Sequence, residues 1–141
     1  MKHAKALFLI AIGAAYAPQV KAATVTVAID NIPDAQGTIR IALCDRGEFL
    51  KPACHYHVRL PSVPQHAEAT LNDVSPGTYA VQVFQDRDNN GKLKRNFFGI
   101  PQEPLGFSRN PKMRFGPPSF DDADLAIGPA GATIAVQLIT K

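Results

Sequence analysis

The chain has 141 residues and a formal net charge of +3, with 45% hydrophobic and 19% charged residues and two cysteines. This length suits one domain around one core. The positive charge says little about partners: Lys2, Lys5 and Lys21 stand in an N-terminal leader without acids, and beyond it twelve Lys and Arg face twelve Asp and Glu. A net charge of zero makes nucleic acid a poor partner.

Residues 1–22 read as a secretory signal peptide. Lys2 and Lys5 give the basic start, Ala6 to Ala17 the apolar run, and Val20-Lys21-Ala22 a small-residue cleavage site. The apolar run falls short of the roughly 20 residues of a membrane span, and no later segment approaches that length. The expectation is one domain over residues 23–141 that is exported, periplasmic or secreted, with no transmembrane segment after cleavage.

Thr24 to Ile29 alternates polar and β-branched apolar residues, as does Gly37 to Leu43, where Ile39, Ile41 and Leu43 share a face. Both read as strands. Cys44 and Cys54 flank the turn-like DRGEFLKPA. In an oxidising compartment the simplest reading of such a pair is a disulfide; two free thiols or a redox pair are the alternatives, and neither has the CxxC spacing that favours it. Weaker period-2 segments follow at Tyr56 to Leu60 and Ala67 to Leu71, and a stronger one at Tyr79 to Phe84. Beyond a long segment come Ala123 to Ile127, a Gly128 to Gly131 turn, and Thr133 to Ile139. Helical periodicity is absent, and Asp121 to Leu125 makes one helical turn at most. Seven short strands with turn signals between them predict an all-β, antiparallel β-sandwich, with Ile39, Ile41, Val81, Val83, Ile134 and Val136 in its core.

The segment between the last two groups of strands, Gln85 to Phe120, is the least ordinary. It contains Phe97, Phe98, Phe107, Phe115 and Phe120, and its seven Lys and Arg against Asp86, Asp88 and Glu103 leave it at +4 while the rest of the mature chain is −4. Connections this long are uncommon inside a compact domain unless they bind, cover or are disordered, and aromatic richness argues against disorder. An ordered loop is expected, with most of its rings folded down as a secondary core and one or two left exposed.

The segments PGTYAVQVFQDRDNNGKLKRNFFGIPQEPLGFS and FGPPSFDDA together resemble the bacterial exported family known as domain of unknown function 2141, from about Thr24 onward. The resemblance implies a transthyretin-like or immunoglobulin-like β-sandwich and no established activity. The family commonly shows HDxNxNGxxD; here Gln85 and Lys94 replace its His and last Asp, which removes two potential ligands.

Asp86, Asp88 and Asn90, followed by Gly91, match the first half of an EF-hand-like calcium loop, in which oxygens at alternate positions converge on the ion. Lys94 and Phe97 occupy the places where the shell should be completed. Two readings stand: a turn in which Asx side chains bond their own backbone, and a weak calcium site. His55 and His57 lie two apart, a transition-metal spacing that is more commonly solvated surface. Ser108 and Ser119 have no neighbouring His–Asp partners, there is no GxSxG elbow, and a Glu103–Asp121 carboxylate pair has no separation that sequence can supply. The expected function is therefore non-enzymatic: a binding or structural module of the cell envelope, using Arg95, Phe98, Arg109, Arg114 and Phe115 toward an envelope component or protein. A calcium-stabilised module, and less so an envelope-polymer hydrolase, are the alternatives.

Overall fold

The computed structural model describes residues 10–140. The leader's Lys2 and Lys5 lie outside them, whereas residues 10–22 are exposed and outside any helix or strand. The rest is a two-sheet β-sandwich. Strands β1 (Ala23–Ile32), β2 (Thr38–Cys44), β3 (Tyr56–Pro61), β4 (Gln65–Val74) and β5 (Gly77–Asp86) come first; β6 (Leu105–Phe107), helix α1 (Phe120–Ala123), β7 (Asp124–Ile127) and β8 (Ala132–Gln137) follow. One sheet has the order β4-β1-β8, the other β3-β2-β5-β6, with β7 also pairing with β5.

Every strand expected from alternation is present, and β6 is an eighth, formed inside the long segment. One pairing departs from an all-antiparallel sandwich: β1 and β8 run parallel, with Val27 opposite Ile134. Alternation fixes which side chains face inward and is silent on the direction of the neighbour. Here β7 lies on the five-stranded sheet and the turn after it carries the chain across to β1 in the other sheet.

All six predicted core residues are buried, joined by Val25, Val27, Ile29, Leu43, Leu71, Val74 and Leu138 between the sheets. Gln85, predicted as the start of the loop, is instead the buried end of β5 and donates to Asp34 O and Gln36 O. Gly37 has a φ of 65°, and a Cβ there would collide with Asp86 O, so that turn accepts only glycine.

A second, smaller cluster lies on the outer face of the five-stranded sheet, where Ala80 points. It contains Phe107, Phe120 and Ala123. Phe49 meets both rings edge-on, with centroids 5.8 Å from Phe107 and 5.7 Å from Phe120. Helix α1 is fixed by a capping box between Ser119 and Asp122. The expected secondary core is thus real but small, and its third ring comes from the Cys44–Cys54 loop. Those cysteines form a disulfide. Among the described residues no helix is long and apolar enough to cross a membrane.

Candidate functional site

The segment after β5 divides into a tied part and an exposed part. In the tied part, Asp86 accepts hydrogen bonds from the backbone N–H of Asn90 and Gly91 and from Arg40 Nε. Burial by itself would raise the pKa of Asp86, but the Arg40 and Gly91 donors outweigh it and hold the carboxyl below the usual aspartate range. Glu103, also buried, reaches the same loop from its far side and accepts from the N–H of Arg87 and of Lys94, at 2.9 Å each. One side chain thereby ties the backbone at Arg87 to that at Lys94, bracketing the turn between them. Arg87 is turned away to Asp34, whose own pKa is lowered, first by the N–H of Gln36.

Asp86, Asp88 and Glu103 each offer an oxygen within 4.8 Å of the others. Glu103, which the sequence did not offer as a calcium ligand, joins Asp86 and Asp88 there, and the side-chain oxygen of Asn90 accepts from Lys92 N. The donor set is oxygen-only, as calcium requires. Every one of these carboxylate oxygens nevertheless already accepts a hydrogen bond within the protein, so the loop holds its shape with its own donors.

In the exposed part the rings behave against expectation. Phe97, Phe98 and Phe115 are 97%, 82% and 102% exposed, so three rings rather than one or two face water. Asn96 accepts from the N–H of Phe98 and Ile100, Gly99 takes a φ of 77°, and Arg95 Nη1 donates to Gly99 O, which together make a closed turn with the two rings at its tip. Turns of this kind order a backbone without burying its side chains. Phe97 and Phe98 pack on each other, edge to face at 5.5 Å.

This tip and the Met113 to Pro117 stretch wall a cavity of about 650 Å³ over the outer face of the five-stranded sheet. Phe84 and Leu105 lie on its floor, and Leu50, Lys51 and Pro52 form the opposite wall. Gln82 anchors that wall by accepting from Leu50 N. A second hollow, about 640 Å³, extends from it over Arg40, His57 and Arg59, sharing Pro52, Gln82, Phe84 and Gly91. Four cations, Lys51, Lys92, Arg95 and Arg114, line the first cavity, and none of them makes an ion pair among the described residues.

Four of the five sequence-selected residues thus converge: Arg95, Phe98, Arg114 and Phe115 line one groove. Arg109 does not. It bonds Asp121 O and Asp124 at the end of α1, a structural duty. Leu50, Lys51 and Lys92 were missed, the first two because they arrive from the disulfide loop, distant in sequence. The remaining candidates are engaged elsewhere. Ser108 Oγ is buried, donating to Ala123 O and accepting from Val81 N. Ser119 caps α1, and Asp121 pairs with Arg46. His57 Nδ1 donates to Cys54 O, and His55 packs on Tyr56.

The family model for uncharacterized proteins conserved in bacteria, DUF2141, matches residues 27–135. No curated protein and no solved structure matches.

Proposed function

The chain belongs to the DUF2141 family, and within it we propose a non-enzymatic, exported binding module of the cell envelope whose groove between the Leu50 to Pro52 wall and the Phe98 and Phe115 tips takes an anionic partner with an apolar part. One observation carries this reading. From Ala23 onward the large exposed apolar side chains are Leu50, Val63, Phe97, Phe98, Ile100, Phe115 and Ile139. All but two line the same groove, Phe97 packs on one of those, and only Val63 lies apart. Each ring left in water forgoes roughly 1.5–3 kcal/mol of burial. Six such side chains gathered at one place, with four cations that make no ion pair among the described residues, form a surface that a complementary partner would desolvate.

The probe is 1-anilinonaphthalene-8-sulfonate, an apolar ring system carrying one anion. Saturable binding with enhanced fluorescence is expected, weakened about tenfold or more by a Phe98→Ala/Phe115→Ala double variant, since two rings each contribute on the order of 1 kcal/mol. Binding that this variant leaves unchanged would remove the groove from consideration.

A second reading, weak calcium binding by a structural module, is favoured by the approach of Asp86, Asp88 and Glu103. It concerns the tied part of the segment and is independent of the groove.

A further inference from the structure

We propose that the partner of this groove is an anionic phospholipid surface, onto which the protein docks through Phe97, Phe98 and Phe115 as an interfacial anchor; the inference rests on the groove being a binding site. Three features separate a bilayer surface from a small ligand. The most exposed rings stand at loop tips, at the lip of the cavity instead of inside it, and Phe97 does not line the cavity at all. A small molecule held in the groove would leave Phe97 in water, whereas a headgroup layer accommodates all three rings at once. Aromatic side chains favour that layer, where an apolar body meets a polar boundary.

The backbone behind Phe97 and Phe98 is held by the Asn96 acceptor and the Arg95 contact to Gly99 O, so docking need not order that turn. The third feature is charge. Lys92 and Arg114 line the groove with Phe98 and Phe115 and, like Lys51 and Arg95, make no ion pair among the described residues. Cations gathered beside the aromatic lip steer it toward an anionic leaflet before contact. Near such a leaflet each Lys or Arg contributes about a fivefold gain in binding. Three shallow rings and a few cations give reversible attachment rather than permanent insertion.

The test exploits the absence of tryptophan. A Phe98→Trp variant should shift its emission to the blue and co-sediment with vesicles of phosphatidylcholine containing about a third phosphatidylglycerol, and do so far less with phosphatidylcholine alone. A Val63→Trp variant, exposed but remote from the groove, should show no shift. Lys92→Glu/Arg114→Glu should lower the affinity by at least about tenfold, and high salt should lower it as well; circular dichroism confirms that each variant is folded. Equal binding to both vesicle types, or an equal blue shift at Val63→Trp, would overturn the proposal. Absence of vesicle binding while the sulfonate probe still enters the groove would overturn it and leave the binding function standing. Loss of both would remove the two together.

Discussion

Phe107 and Phe120 are buried, whereas Phe97, Phe98 and Phe115, from the same segment, are almost wholly in water. The difference lies in what holds the backbone beside each ring. Phe107 sits in β6, hydrogen-bonded to β5, and Phe120 opens a capped helical turn packed on that sheet. Phe97 and Phe98 sit on a turn closed by Asn96 and Arg95, and Phe115 on a stretch outside any helix or strand, so none of the three is carried by an element packed on the sheet. Composition alone treats all five as equivalent; attachment to the sheet decides which become core and which become surface.

The comparison is broken most forcefully by truncation. Phe107→Ala removes a ring that packs on Phe49 and should cost about 3–5 kcal/mol in urea unfolding, while Phe115→Ala should change stability by less than about 0.5 kcal/mol. Similar losses at both positions would mean that the exposed ring is part of the fold. Glu103→Ala comes next. Freeing the N–H groups of Arg87 and Lys94 should cost about 2–3 kcal/mol and raise hydrogen exchange across residues 87–94 while β2 stays protected.

Asp86→Asn is smaller, about 1–2 kcal/mol at neutral pH. The pKa of Asp86 is lower in the folded protein than in the unfolded chain, so its contribution is complete above the unfolded value and is lost as pH falls through the folded one. Stability should therefore be flat from pH 7 to about 5 and decline below about 4, with a shallower decline in the variant. Denaturation midpoints measured across that range check both limbs. The smallest effect is that of calcium. A loop already tied by its own donors should gain less than about 1 °C in melting temperature from millimolar calcium, whereas a rise of several degrees, abolished by Asp88→Asn, would establish the calcium reading.

The inner faces of the strands were legible because alternation with β-branched residues has one meaning in a sandwich: Ile39, Ile41, Val81 and Val83 had nowhere else to go. The second cluster was half legible. Its Phe107 and Phe120 stood out as aromatic, but Phe49 lies in a turn without periodicity. Glu103 as a clamp was invisible, since its partners are backbone N–H groups, which leave no trace in residue types. The groove's cations divided in the same way: Arg95 and Arg114 were conspicuous in a basic segment, while Lys51 gained its place only when the disulfide loop folded against Gln82.

That disulfide loop belongs to two structures at once. Between Cys44 and Cys54 the chain supplies Phe49 to the aromatic cluster and Leu50 to Pro52 to the groove wall. The crosslink joins the ends of a loop whose middle is held to the sheet by Phe49 on Phe107 and Phe120 and by the Gln82 contact with Leu50, so one covalent bond bears on the aromatic cluster and the groove wall together. Reduction of that bond should therefore loosen the cluster and the wall together, although they lie on different parts of the sheet.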